Sequence, residues 1–188
     1  MSTVFEDRRR ALEDQFFKHH DEKLIQKMKE ASLHDATKEE LRALTGITNE
    51  QVLSALADLK VGGGAAVLVM SLYPLVEVAW ADGNVDERER AVILELAASI
   101  GLKHGSPGSE YLTKWLARKP EALWQSLWTG YVKALAEMMK PADRALLKNT
   151  VLDRARVVAE ASGGFLGVAW RVSETEHAVL IELERAFA

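Results

Sequence analysis

Apolar residues recur along this chain of 188 residues at intervals of three and four, the spacing that places side chains on one face of an α-helix. No segment alternates apolar and polar residues with the period of two that is typical of a half-buried β-strand. The run at residues 65–81 is apolar on all sides, which is typical of a helix buried in a core. We expect Pro74 to kink or restart that helix. The pattern predicts an all-α protein.

The chain divides by composition into two regions. We predict that residues 1–60 form an N-terminal helical extension and that residues 61–188 form the main helical bundle. Residues 4–30 read as one long helix with balanced acids and bases. Its apolar stripe drifts round the helix, so this helix either lies across the bundle or pairs with a protein partner or a second copy of the chain. The glycines at 62–64 indicate a joint between the regions.

Residues 37–60 are predicted to form a small hairpin of two short helices. Thr37-x-x-Glu40 and Thr48-x-x-Gln51 both have the form of a capping box, in which a hydroxyl and a carboxylate or amide satisfy the unpaired N–H groups at the start of a helix. The spacing is roughly that of a helix-turn-helix motif. The sequence therefore predicts a helix start at each threonine.

Several residues mark helix ends in the rest of the chain. Gly46 is placed to end the first helix of the small hairpin, and Asp82-Gly83 to end the helix at 65–81. Asp86 is predicted to cap the next helix, which Gly101 closes.

Four further helix starts are predicted, near Glu110 and at Pro120, Pro141 and Ser173. The helix that begins at Pro141 offers these aliphatic residues to the core: Leu146, Leu147, Val151, Leu152, Val157 and Val158.

Part of the chain is repeated. Residues 85–96 align without gaps onto residues 172–183, and in each copy a long apolar helix leads into a capped amphipathic one. The repeat predicts a bundle of two pseudo-repeated helix-turn-helix hairpins.

The turn after the apolar helix holds the chain's most promising acidic cluster. Asp82, Asp86 and Glu89 fit the second half of a calcium-binding EF-hand loop. The first half fails, because two of its ligand positions would fall on Val78 and Trp80, which carry no carboxylate. A partial cation site completed by water or by another segment is one interpretation.

A structural role is the other interpretation of these acids. Asp86-x-x-Glu89 and Ser173-x-x-Glu176 both have the form of a capping box, and acids in the first turn favour the helix dipole. Glu77, the single charge of the apolar helix, is a further candidate acid. The candidate metal ligands are Asp82, Asp86, Glu89 and Glu77.

Composition narrows the chemistry. The net charge of −4 argues against nucleic acid as a partner, and the second helix of the small hairpin has no arginine and only Lys60 at its end. Cysteine is absent, which excludes thiolate catalysis and cysteine-ligated zinc. The N-terminus does not read as a signal peptide, and the longest apolar run is too short to span a bilayer. We expect a cytoplasmic protein.

Residues 79–89 read Ala-Trp-Ala-Asp-Gly-Asn-Val-Asp-Glu-Arg-Glu, and an aliphatic helix ending in Ile-Gly-Leu follows them. This segment, with its echo at 172–176, resembles the TerB-like family linked to tellurite resistance, over about residues 65–187. The resemblance implies a compact helical bundle without known catalysis, associated with stress-response assemblies and suspected of binding divalent metal through the acids of this turn. The second repeat departs from the motif, because Ser162 and Ser173 stand where acids would help.

Three functions are open at this point. The first is a non-catalytic TerB-like binding or scaffold protein, tuned by a divalent cation such as calcium, magnesium or manganese. The second is a metal-dependent hydrolase that uses the same acidic turn, which would require at least three convergent oxygens in a pocket. The third is a DNA-binding regulator that acts through residues 37–60.

Overall fold

The computed structural model describes residues 26–162 and 172–187, and all regular secondary structure in these ranges is α-helical. The all-α prediction is confirmed. Within the same ranges, no helix combines the length and apolar content that crossing a membrane requires. The helices are α1 (26–45 in the described part), α2 (Glu50–Ala57), α3 (Gly63–Ala79), α4 (Glu87–Ser99), α5 (Pro107–Ala117), α6 (Ala122–Met138), α7 (Pro141–Ser162) and α8 (Glu174–Arg185).

Helix α3 lies at the centre of the bundle. It packs against α4, α5, α6, α7 and α8, and also against α2. Most of its side chains are buried, whereas Val67, Leu68 and Glu77 are only partly covered, so the predicted burial on all sides is too complete. Each large aliphatic side chain contributes about 1.5–3 kcal/mol when fully buried. Residues of α3 in the core include Ala66, Val69, Met70, Leu72, Tyr73, Leu75, Val76 and Val78.

Pro74 does not restart the central helix. Helix α3 continues through it from Gly63 to Ala79, so this part of the expectation is wrong. Proline removes one backbone donor from the helix and crowds the preceding turn. Pro74 is itself buried, and the helices packed around α3 hold it in place on both sides of the proline.

Both capping boxes predicted for residues 37–60 are wrong. Helix α1 runs straight through Thr37, whose hydroxyl donates to the Leu33 carbonyl at 2.9 Å. A residue inside a continuous helix has no unpaired N–H group nearby to cap. The N-cap of α2 is Asn49 rather than Thr48, and its side chain accepts hydrogen bonds from the backbone of the first turn.

The carboxylate of Glu40 caps a different helix. Its Oε2 accepts a hydrogen bond from Gly63 N at 2.8 Å, and its Oε1 accepts one from Gly64 N at 3.2 Å. A Cβ atom at Gly63 would lie 2.8 Å from Glu40 Cδ, closer than packed atoms approach. The glycines were predicted to form a joint between the regions. Two of them instead provide the backbone N–H groups, and the space, for the Glu40 carboxylate of α1 at the N-terminus of α3.

The small hairpin contributes to the same core as the bundle. Leu41, Ile47, Leu53 and Leu56 are fully buried and belong to one apolar cluster with the residues of α3. Helix α1 ends at residue 45, before Gly46 with φ of +74°, as predicted. The division of the chain at residue 60 stays a prediction.

Two later helix starts differ from those predicted. Helix α5 begins at Pro107, with Ser106 as its N-cap, rather than near residue 110. Helix α6 begins at Ala122, two residues after Pro120. Prolines at the first helical position and just before a cap look alike in sequence, since both tolerate the fixed φ of proline. The predicted start at Pro141 is confirmed.

Leu146 and Val157 do not belong to the core. They are 67% and 49% exposed, so their predicted burial is wrong, whereas Leu152 and Val158 of the same helix are buried. Helix α7 carries aliphatic residues on most of its sides. The packing of α3, α4 and α8 against it decides which of these residues are buried.

The Glu40 cap can be tested by a double-mutant cycle measured by urea unfolding. Glu40→Ala is expected to lower the free energy of unfolding by about 1 kcal/mol, the usual loss for a helix cap. Gly63→Ala is expected to cost a similar amount because it displaces the Glu40 carboxylate. In the Glu40→Ala background, Gly63→Ala should cost nothing further.

Gly64→Ala is the matched control for that cycle. A Cβ at Gly64 would meet Glu40 Oε1 only at 3.8 Å, an ordinary contact, so this change should be neutral or stabilising. Equal costs for Gly63→Ala and Gly64→Ala would contradict the proposed role of the carboxylate.

Candidate functional site

The turn between α3 and α4 follows the end of α3 and is held by a backbone hydrogen bond and by the side chain of one aspartate. Gly83, with φ of +91°, donates its N–H to the Trp80 carbonyl at 3.0 Å. Only glycine adopts this left-handed conformation without strain. Asp82 Oδ1 accepts a hydrogen bond from Asn84 N at 3.0 Å, which makes a local Asx turn. Helix α3 ends at Ala79 with Trp80 as its C-cap, two residues before the predicted end at residue 81, and Asp82-Gly83 form the turn that follows.

Asp86 and Glu89 form a complete capping box at the start of α4. Asp86 Oδ1 accepts hydrogen bonds from Arg88 N and Glu89 N, both at 2.8 Å. Glu89 Oε2 accepts one from Asp86 N at 2.8 Å. The three N–H groups would otherwise lack partners at the helix start. The predicted capping role of both residues is confirmed.

The repeat of this motif at α8 is also a capping box. Ser173 N donates to Glu176 Oε2 at 2.6 Å, and Glu176 N donates to Ser173 Oγ at 3.2 Å. Both capping glutamates are buried, Glu89 at 3% and Glu176 at 4% exposure. The predicted cap at Ser173 is therefore confirmed, and each hairpin places one buried carboxylate at the start of its second helix.

The environment of Glu89 disfavours its charged form. Burial raises the pKa of Glu89 to about 7, against the opposing effect of the hydrogen bond from the Asp86 backbone. The negative charges of Asp86, Asp82 and Glu176 raise this pKa further. The two capping glutamates are thus close enough to repel each other electrostatically.

Glu77 has different partners. Its Oε2 accepts a hydrogen bond from the Tyr73 hydroxyl at 2.8 Å, and its Oε1 lies 3.6 Å from Lys119 Nζ. Burial, and then the Glu77 carboxylate, raise the pKa of Tyr73. The structure therefore connects Glu77 to the segment between α5 and α6.

The predicted metal ligands each have a structural role already. Asp82 closes a turn, Asp86 and Glu89 cap α4, and Glu77 pairs with Tyr73 and Lys119. In the described part of the chain, no group of three or more His, Asp or Glu side chains is placed to hold a metal ion. A cation here would need water for most of its ligands. The geometry favours capping, and metal binding at these residues stays a prediction.

The surface of the small hairpin has few cations that are available to contact DNA phosphates. Glu50, in the first turn of α2, accepts hydrogen bonds from Lys38, at 3.1 Å, and from Arg42. Lys38 also pairs with Asp35, and Arg42 with Glu39. Both cations are therefore already held in ion pairs, and phosphate contacts require cations that are available.

Sequence reasoning missed a basic cavity at the junction of α5 and α6. It has a volume of about 530 Å³, and its lining includes Lys114, Arg118, Lys119 and Trp124. We call it the basic cavity. The sequence signal that could have found it is the group of three cations between residues 114 and 119.

No protein-family model, curated protein or solved structure matches this chain. The resemblance to the TerB-like family therefore depends on the motif at residues 79–89 and its echo at 172–176.

The burial of Glu89 predicts a specific pH dependence of stability. The carboxyl has a pKa near 4.5 when exposed and about 7 in the fold, so the folded protein binds the extra proton between these values. Stability should therefore fall by about 3 kcal/mol as the pH rises from 4.5 through 7, and this contribution should be constant above that. Glu89→Gln keeps the acceptor for Asp86 N but cannot ionise, so it should remove this slope.

The measurement is the free energy of unfolding by urea at pH values from 5 to 8. Glu87→Gln, at an exposed position in the same helical turn, is the control and should keep the wild-type slope. If Glu89→Gln also kept that slope, the proposed titration of Glu89 would be wrong.

Proposed function

We propose that this chain is a TerB-like helical binding module that self-associates through the N-terminal part of α1. The observation that carries the proposal is the exposure of that segment. Every residue from 26 to 33 is exposed, including Met28 and Leu33, each at 65%. Exposed apolar side chains on a helix can be covered when it packs against a partner helix.

Charge balance supports a second copy of this chain as the partner. Between residues 4 and 30 the sequence has seven Asp and Glu residues and seven Lys and Arg residues. A segment without net charge does not repel its copy, and its acids and bases can pair across an interface. The whole chain, in contrast, carries a net charge of −4.

The TerB-like arrangement is supported by the packing of the two hairpins. Helices α3 and α4 form one hairpin and α7 and α8 the other, and α3 packs against both α7 and α8 while α4 packs against α7. Each hairpin has a capping box with a buried glutamate. A role in tellurite resistance or another stress response is suggested by the sequence resemblance.

Weak divalent-cation binding at the acidic turn is a second candidate function. The observation that favours it is the negative field at Glu89, to which Asp82, Asp86 and Glu176 contribute. Mg²⁺ retains several waters in protein sites, so a few carboxylate oxygens can suffice. A hydrolytic reaction would need more convergent groups than this turn provides.

Self-association can be tested by sedimentation velocity on the full chain. The wild type should show a sedimentation coefficient that increases with concentration, and Met28→Ser/Leu33→Ser should remain monomeric because it removes the apolar contact. Leu146→Ser/Val157→Ser is the matched control, since it replaces two exposed apolar residues on α7. A wild type that is monomeric at all concentrations would overturn the proposal, and so would equal effects of the two double variants.

Cation binding can be tested by thermal unfolding with calcium, magnesium or manganese at millimolar concentration. Binding to the folded state raises the melting temperature by mass action, and Asp82→Ala should abolish the rise. Glu87→Ala changes an exposed acid of the same turn and should keep it. If none of the three cations raises the melting temperature, capping is the only role of the acidic turn.

A further inference from the structure

The basic cavity has the size of a small-molecule site. It is a cleft that is wide open to solvent, and its volume of about 530 Å³ falls within the range of about 300–1,000 Å³ that is usual for ligand pockets. The end of α5, the connection 118–121 and the start of α6 surround it. Its lining includes Lys114, Trp115, Arg118, Lys119, Pro120 and Trp124.

The charges around this cavity are not balanced within the protein. Lys119 is paired with Glu77. Lys114 and Arg118 are exposed and form no ion pair within residues 26–162 and 172–187. One acid, Glu121, is also in the lining. Lys114 and Arg118 set against Glu121 leave a net charge of about +1 at the cavity, in a chain that is acidic overall, and this charge attracts an anion such as a phosphate group.

An aromatic side chain lines the same cavity. The ring of Trp124 is held edge-on against Trp115, with centroids 4.6 Å apart, and against Tyr111, with centroids 5.7 Å apart. Lys114 Nζ lies 5.6 Å from the centroid of the Tyr111 ring, which places its charge beside this aromatic group. A fixed and partly exposed indole is suited to contact a planar ring.

The wall of the cavity is held in place by neighbouring helices. Trp80 Nε1 donates to the Trp115 carbonyl at 2.7 Å, and an Arg90 guanidinium N–H donates to the Leu116 carbonyl at 2.7 Å. The last turn of α5 is therefore bound to the turn after α3 and to α4. Rigid walls lower the ordering cost of binding a ligand.

We propose that the basic cavity binds a small organic anion that joins a planar ring to a phosphate group. Arg118 and Lys114 contact the phosphate, because a guanidinium and an ammonium together provide charge-assisted hydrogen bonds to its oxygens. Trp124 contacts the ring. This site is separate from the acidic turn and does not depend on self-association through α1.

Titration calorimetry on the full chain with three probes tests the proposal. ADP carries both the ring and the phosphates, adenosine only the ring, and inorganic pyrophosphate only the phosphates. ADP is expected to bind more tightly than either of the others. Lys114→Gln/Arg118→Gln should weaken ADP binding by roughly tenfold or more. Trp124→Leu should weaken it by roughly tenfold and leave pyrophosphate binding unchanged.

A second double variant separates a specific site from general electrostatics. Lys133→Gln/Lys140→Gln removes the same charge from exposed positions outside the cavity lining and should leave ADP affinity within about twofold of the wild type. Equal weakening by the two double variants would overturn the proposal. Absence of saturable ADP binding at millimolar concentration would overturn it too, as would pyrophosphate binding that equals ADP binding in strength.

Circular dichroism of each variant before titration shows whether it is folded. Lys114 and Arg118 are exposed, so their replacement should leave the fold unchanged. If Trp124→Leu unfolds the protein, the comparison of ADP with pyrophosphate on the wild type still tests the contribution of the ring.

Discussion

Burial of α3 at the centre of the bundle is the constraint on which the rest of this structure depends. An apolar helix surrounded by other helices is stabilised along its whole length, but its terminal N–H and C=O groups cannot all reach water. At its N-terminus, α1 supplies the Glu40 carboxylate, and Gly63 provides the space for it. At the other end, the Gly83 N–H satisfies the Trp80 carbonyl. The segments before and after α3 therefore provide hydrogen-bond partners for the two ends of this helix.

The same requirement explains why the acidic turn is acidic. A helix that starts beside the core needs acceptors for its first N–H groups, and carboxylates also interact favourably with the helix dipole. Asp86 and Glu89 meet this need at α4, and Ser173 and Glu176 meet it at α8. Placing Glu89 in a buried position has an electrostatic cost, which its raised pKa reflects.

Opposite charges meet near the C-terminal end of α3. The acidic turn follows this helix directly, and the basic cavity lies at the end of α5. Contacts that connect the regions include the Glu77–Lys119 ion pair and the hydrogen bonds from the Trp80 indole to the Trp115 carbonyl and from Arg90 to the Leu116 carbonyl. A ligand in the cavity would therefore contact the wall that also supports the turn. The arrangement provides a physical connection between an anionic and a cationic surface of one bundle.

Local patterns in the sequence determined the helical class, the buried character of α3 and the caps at Asp86 and Ser173. These features depend on residues within a few positions of one another, and such spacing is visible in one dimension. Tertiary structure alone decided that Thr37 lies inside α1 and that Glu40 caps a helix more than twenty residues away. It also decided that Leu146 is exposed and that Lys114, Arg118 and Trp124 line one cavity. These outcomes depend on which helices pack against each other. Burial and long-range hydrogen bonds involve residues that are distant in the sequence, so local sequence patterns do not predict them.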